Sequence, residues 1–458
     1  MTRTSVAVLL GSVAGVLAAT QPLADTDMWW HLATGRETVA HGLVRADVFS
    51  WTARGAPVST DQWLGQVLMY GAYALTGWWG VAILRIASVV ALVAAAALSA
   101  SLARPVRPLA VVLASLPALL LTRPVWVDRP ELLGFVCFAV LLVLLRLGRD
   151  GRNGPLAFTV ALIAIWANVH GSFALGVVLT VLVCVEGALR DPARRRLYLV
   201  CAAAGLLASF ATPAGLGSWT APGIHFLSPP RDIQEWNVVD VRTPLGVAYA
   251  VTLGLVIVCV ALGPRLALRD VVVLVPVAFL SLTAARQAPL LAIAAVPLFA
   301  DRADALIVRS IRAPDGEGGR RRRGRADAVM LALAASFFIV ASGMAPRQPD
   351  ERAYPVAALA SQSIPTGDGT LARYEWGGWL IWQGVPVFVD GRLTPYAGGV
   401  LDDYRRIVAA APGWRDAIAR RGVRTLLVVP TDPVATRAME LGWTVRARSS
   451  DVIVIAIR

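Results

Sequence analysis

The stretch Ala24-Asp25-Thr26-Asp27-Met28-Trp29-Trp30-His31 directly follows an apolar run over residues 5–24. That run is long enough to cross a bilayer, whose hydrocarbon takes about 20 apolar residues as a helix. The chain therefore leaves the hydrocarbon at Ala24 and sets two carboxylates and two indoles at the interface. Charges are costly in hydrocarbon, and two at its edge point to chemistry at a membrane surface. A solvated loop with an aromatic belt is the plainer alternative. Arg3 and the small residues near Ala18 and Ala24 would also suit a cleaved signal peptide. Many apolar runs follow, so a retained first helix is expected.

Hydrophobic residues make up 57% and charged residues 16% of the 458-residue chain, and mean hydropathy is +0.62. These values exclude an ordinary soluble protein. The formal charge of +13 comes from arginine alone, since lysine is absent. The arginines lie mostly in loops between apolar runs, which speaks for membrane orientation and not for nucleic acid as a partner. Cys137, Cys184, Cys201 and Cys259 all fall inside apolar runs without metal-ligand spacing. They read as packed thiols, with no disulfide framework expected.

Apolar runs can be drawn at about 5–24, 78–103, 107–122, 131–147, 155–169, 172–189, 197–212, 245–263, 270–285, 287–300 and 328–345. The expected fold class is thus an α-helical polytopic membrane protein of about 11 transmembrane helices with a small C-terminal α/β extracytoplasmic domain. With the N-terminus in the cytoplasm, the inner loops carry 19 arginines and the outer loops before residue 346 carry 8. That asymmetry obeys the positive-inside rule. All 15 tryptophans fall on the outer side or at the outer ends of spans. Aromatic belts normally occupy both interfaces, so the bias suggests that the outer face also handles a ligand, and indoles suit sugar faces.

Domain organisation follows from the same drawing. Residues 1–345 form the membrane domain, with a first outer loop over 25–61 and a long outer loop over 212–244. Within the first loop, residues 27–42 read as an interfacial helix, and residues 62–76 after it as another or as a lead-in to the second span. The basic segment Gly316–Arg325 reads as a flexible inner loop touching lipid headgroups. Pro346, Pro349 and Pro355 mark a linker into residues 346–458. There, strands are expected at Val385–Val389, Thr425–Val429, Val445–Arg448 and Val452–Ile457, with helix from Val400 to Arg421.

Every group suited to chemistry lies on the expected outer side. Asp25, Asp27 and His31 come first. Arg129 and Glu131 follow between the third and fourth runs, and His170 ends the fifth. Glu235 sits in the long outer loop, and Arg286 stands alone between two apolar runs. The C-terminal domain adds Tyr374 beside Glu375-Trp376-Gly377-Gly378, then Asp390-Gly391-Arg392 after a short apolar run. Such groups suit glycosyl transfer from a lipid phosphate. A carboxylate can take the proton of an acceptor hydroxyl or hold a divalent cation, Mg or Mn. Arginine can bind the departing phosphate through paired hydrogen bonds. Structural readings stand beside these: interfacial hydrogen bonding for His31 and His170, a local ion pair for Arg129 and Glu131, and a turn for Asp390-Gly391-Arg392.

The acidic pair in the first outer loop, the many spans, the interfacial helix and the outer C-terminal domain resemble the GT-C superfamily of integral-membrane glycosyltransferases, which includes the protein O-mannosyltransferases. More narrowly, Asp25-Thr26-Asp27-Met28-Trp29-Trp30-His31-Leu32, Trp166-Ala167-Asn168-Val169-His170-Gly171, Glu375-Trp376-Gly377-Gly378 and Asp390-Gly391-Arg392 look like a group of bacterial multipass proteins described as transferases without a named substrate. The resemblance implies a catalytic carboxylate in the first loop, at Asp25 or Asp27, and a polyprenyl-phosphate-linked sugar as donor. This chain carries Asp-x-Asp in place of the Asp-Glu pair of the mannosyltransferases. The implied reaction moves a sugar to a glycan, lipid or protein acceptor on the outer face of the cytoplasmic membrane. The alternatives are a non-catalytic envelope-assembly protein with a glycan- or partner-binding outer domain and, last, a transporter, which would call for charges near the middle of several spans.

Overall fold

The computed structural model describes residues 3–103, 105–149, 151–227, 234–310, 319–361, 364–392, 394–396 and 398–457. Contacts divide the chain into two units, Met1–Gln21 with Gly77–Arg347 and Pro22–Thr76 with Gln348–Arg458. The first loop therefore belongs to the unit that carries the C-terminal residues, a grouping that hydropathy along the chain does not display.

The first unit is helical. Helices Arg3–Ala19, Trp78–Ala103, Pro108–Thr122, Pro130–Arg149, Gly154–Val169, Phe173–Arg190, Arg195–Ala208, Pro244–Ala261, Leu268–Thr283, Ala288–Ser310 and Gly319–Met344 fall on the apolar runs read from the sequence. Six of the described helices are long and apolar enough to cross a membrane, and Thr4–Ala19 and Gly154–Val169 are shorter apolar helices. In Arg3–Ala19 the spacing Gly11-x-x-x-Gly15 lets the partner helix Trp78–Ala103 approach closely. A Cβ at Gly11 would stand 2.6 Å from the Val90 carbonyl oxygen, and one at Gly15 would stand 2.8 Å from the Val90 side chain. Small residues are the usual means of such contact in membranes. The basic segment differs from the expected loop. Residues 311–318 lie outside the described residues, but the backbone is helical from Gly319 onward. All four cysteines are unpaired thiols.

The second unit holds a four-stranded mixed sheet. Its strands are β1 (Thr370–Ala372), β2 (Thr425–Val428), β3 (Thr444–Arg448) and β4 (Ile453–Ala456), in the order β1-β2-β4-β3. β1 runs parallel to β2 with Thr370 opposite Thr425, and β4 is antiparallel to both β2 and β3. Leu371, Phe388, Leu426, Val434 and Ile455 are among the fully buried residues of its core. The run Val385–Val389 is buried as expected but is not a strand of this sheet. Pro386 has no N–H to donate, and only Val387 bridges, exchanging backbone hydrogen bonds with Phe49 and Trp51. The helical stretch from Val400 breaks into Val400–Val408 and Trp414–Arg421, because Pro412 cannot continue the first and Gly413 adopts φ +79°. Helices Met28–His41 and Trp63–Thr76 pack on each other in this unit.

Candidate functional site

In the second unit the stretch that opens the chain's first loop becomes a capped helix start. Asp25 Oδ1 accepts the backbone N–H groups of Asp27 at 2.8 Å and Met28 at 3.2 Å. It thereby satisfies donors that the first turn of Met28–His41 leaves open, at the positive end of the helix dipole. Asp27 sits at the N-cap and is half-buried. Its carboxylate and the Trp30 Nε1 group both lie against Gly391, where a Cβ would overlap Asp27. Gly378 makes similar room, since a Cβ there would stand 2.7 Å from the Thr26 carbonyl oxygen. The Trp-Gly-Gly-Trp and Asp-Gly-Arg motifs thus supply the small residues against which the acidic loop seats. Trp30 Nε1 is buried with no hydrogen-bond partner among the described residues.

Aromatic groups hold this arrangement. Trp29 Nε1 donates to the Tyr354 hydroxyl at 2.8 Å, and Tyr354 stacks on Trp379 at 5.7 Å. Trp379 Nε1 donates to Glu351 at 3.0 Å. Burial pushes the Tyr354 phenol up to about 12, and the charges of Asp25 and Asp27 act in the same direction against the opposing Trp29 hydrogen bond. Tyr354 was not among the sequence candidates, because it is a single aromatic in a linker and its partners lie far away in the chain. His31 is buried, its ring tilted against Trp30 with centroids 3.5 Å apart, and it pairs through Nδ1 with Gln66 Nε2 at 3.3 Å.

Asp390 and Arg392, expected to face a ligand, are turned inward. Arg392 pairs with Asp390 at 2.6 Å and with Asp47 at 2.6 Å, and the Tyr396 hydroxyl donates to Asp390. Burial works against the Arg392 charge, but the two carboxylates more than offset it and hold the guanidinium above its ordinary pKa. An unmatched charge could not be kept at this depth, so the pairing explains the inward turn. Tyr374 packs its side chain on the core of this unit and donates its N–H to the Tyr404 hydroxyl at 2.7 Å.

The first unit gathers four other candidates around Glu131, in the first turn of Pro130–Arg149. Arg286 lies in the short turn Ala285–Gln287, between two apolar helices. It pairs with Glu131 at 2.6 Å and with Glu235 at 3.0 Å, and it lies 4.4 Å above the Trp236 ring. Arg129 and His170 are near enough to act on the Glu131 charge. His170 Nδ1 accepts the Ser172 N–H at 3.2 Å and lies 2.8 Å from Ser172 Oγ. Glu131 thus pairs with Arg286, with the Arg129 charge nearby. A further buried pair joins Arg85 to Asp128 at 2.7 Å, with Arg85 also donating to the Gln21 carbonyl at 2.7 Å. A lone arginine within an apolar run was the signal for it. Among the described residues no group of three or more His, Cys, Asp or Glu is placed to hold a metal ion.

No protein-family model and no curated protein matches the chain. Solved structures do. The apo oligosaccharyltransferase of Archaeoglobus fulgidus aligns over 92% of this chain and 69% of its own, with TM-score 0.55 at 10% identity. The same organism's AglB, in complex with an inhibitory peptide and a dolichol-phosphate, aligns over 92% and 68% with TM-score 0.54 at 12% identity. ArnT from Cupriavidus metallidurans bound to undecaprenyl phosphate aligns over 98% and 97% with TM-score 0.55 at 15% identity. The chain therefore shares the fold of these solved structures over nearly its whole length.

Proposed function

We propose that this protein is a membrane glycosyltransferase that moves a sugar from a polyprenyl-phosphate carrier to an acceptor on the outer face of the cytoplasmic membrane. The observation that carries the proposal is the division of labour between the two first-loop carboxylates. Asp25 is engaged in capping Met28–His41, while Asp27 stands half-buried beside Gly391 and the Trp30 indole. Asp27 is therefore the general base. It takes the proton of the acceptor hydroxyl as the new bond to the sugar's anomeric carbon forms and the bond to the carrier phosphate breaks. Solved neighbours carrying dolichol-phosphate and undecaprenyl phosphate support that class of donor.

In the first unit Arg286 is the phosphate ligand of this proposal. Of its two carboxylate partners, Glu131 is the more buried and Glu235 the more exposed, with side-chain exposures of 9% and 38%. Glu235 is then the partner that a phosphate displaces. The test is transfer of radiolabelled sugar from lipid extracts in membranes with and without the protein. Asp27→Asn removes the charge at constant size and should lower turnover by about 10²–10⁴-fold at normal expression. Full activity in the Asp25→Asn, Asp27→Asn double variant would overturn the enzyme reading in favour of the non-catalytic assembly protein.

A further inference from the structure

Helix Pro130–Arg149 has Glu131 in its first turn and Arg149 at its last residue, about 27 Å apart at 1.5 Å rise per residue. Around the Arg149 end, two adjoining clefts share Arg146, Arg269, Asp270, Val273 and Ala294. Their lining includes the arginines 146, 149, 265, 269 and 302 against the two acids Asp270 and Asp301. Three of the arginines are matched: Arg146 with Asp270 at 3.2 Å, Arg149 with Glu186 at 2.7 Å, and Arg302 with Asp301 at 2.8 Å. Arg302 also donates to the carbonyls of Cys259 at 3.1 Å and Pro264 at 2.9 Å. Its guanidinium fills the space that a Cβ at Gly263 would need. The turn before Leu268 is thereby held, and it carries Arg265 to the cleft.

Among the described residues, two of these cations are left without a carboxylate of their own. Arg265 is exposed at the rim. Arg269 stands 3.9 Å from Asp270, which Arg146 already engages, and its Nε is buried with no hydrogen-bond partner among the described residues. The walls behind them are apolar, formed by Leu142, Val183, Val273 and Leu298. A cationic rim on apolar walls, at the end of membrane helices, is complementary to an anionic amphiphile. Guanidinium forks take the phosphate, and the walls take the first carbons of the acyl chains. A free anion would gain nothing from those walls.

We propose that this cleft binds an anionic phospholipid through its phosphate at Arg265 and Arg269. The site is separate from the Arg286 cluster and does not depend on the proposed transfer reaction. The test uses the full chain, stripped of lipid in nonionic detergent, with phosphatidylglycerol or phosphatidylethanolamine added. Bound lipid is counted by native mass spectrometry and the unfolding midpoint is read alongside. Phosphatidylglycerol should stay bound and raise the midpoint, and phosphatidylethanolamine should do neither. Replacing both Arg265 and Arg269 with Ala should weaken the binding roughly tenfold to a hundredfold, as loss of charged hydrogen bonds does. Val273→Trp, which fills the cleft and leaves every arginine in place, should weaken it as well. Arg265→Ala alone alters only an exposed turn, so it carries the test if the double variant misfolds, and it should cost several-fold. Equal binding of the two lipids, or undiminished binding in Arg265→Ala, overturns the proposal. Displacement of the lipid by inorganic phosphate at equal concentration also overturns it, marking a plain anion site.

Discussion

Gly391 is the residue that makes room for Asp27, since any Cβ at position 391 would occupy the space of the Asp27 carboxylate. The glycine of Asp390-Gly391-Arg392 and the second aspartate of the first loop are thus two halves of one contact. Gly391→Ala should push Asp27 aside without unfolding the unit, and a misplacement on the order of 1 Å lowers turnover by roughly 10²-fold. Gly71→Ala, in a helix of the same unit with open space around it, is the control. It should leave activity intact and raise stability by up to about 1 kcal/mol. Transfer assays on the two variants, with their unfolding midpoints, check both statements.

Asp25 and Asp27 should separate by readout. Asp25→Asn keeps a good helix cap, so the unfolding midpoint should stay near that of the parent, whereas Asp25→Ala should cost about 0.5–2 kcal/mol. Asp27→Asn should leave the midpoint unchanged and lower turnover. Thermal unfolding of the three variants, set beside their transfer rates, decides the assignment.

Removal of Arg286 should damage the fold as well as donor binding, because it strands the buried Glu131. The cost of Arg286→Ala should approach the ~3–5 kcal/mol seen when one partner of a buried pair is lost. Arg286→Met combined with Glu131→Gln should recover stability but not activity. Glu235→Gln should act oppositely on the donor. By freeing Arg286 it should lower the donor KM by up to about fivefold, the ~1 kcal/mol ceiling of a partly exposed pair. A raised KM would remove Glu235 from the proposed exchange.

Alkaline pH should loosen the second unit. Burial raises the Tyr354 phenol to about 12 and raises Tyr396 and Tyr404 as well. A group whose proton is held more tightly in the folded state gives stability that is complete below its unfolded pKa, near 10, and is lost as pH climbs through the folded value. Between pH 10 and about 12 the unfolding midpoint should therefore fall, with tyrosinate absorbance rising together with the loss of tryptophan fluorescence. Replacing Tyr354 with Phe should reduce the slope.

The orientation read from arginine can be checked with single cysteine probes. Gly367→Cys should react with an impermeant thiol reagent added from outside, and Arg265→Cys should react only after permeabilisation. The native cysteines lie in apolar helices and serve as the background. The reverse pattern would invert the topology.

What the sequence determined by itself was the class of molecule and the position of each long helix. Hydropathy is a local property, and a run such as 78–103 or 131–147 has no favourable place outside a helix in hydrocarbon. The acidic pair after the first run was equally visible, as were the glycine-bearing motifs that turn out to receive it. Strand order and partner choice were not. Val385–Val389 has the composition of a strand, but Pro386 and the bridge to Ser50 decide otherwise. Asp25 and Asp27 look alike in sequence, and only the backbone geometry of the first turn makes one a cap. Arg286 meets Glu131 across 155 positions, and Arg392 finds Asp47 in the first loop. Such pairings answer to the cost of a buried charge, which each arginine escapes by meeting whichever carboxylate the packed helices and loops bring within reach. That choice is made in three dimensions, after the local elements have formed.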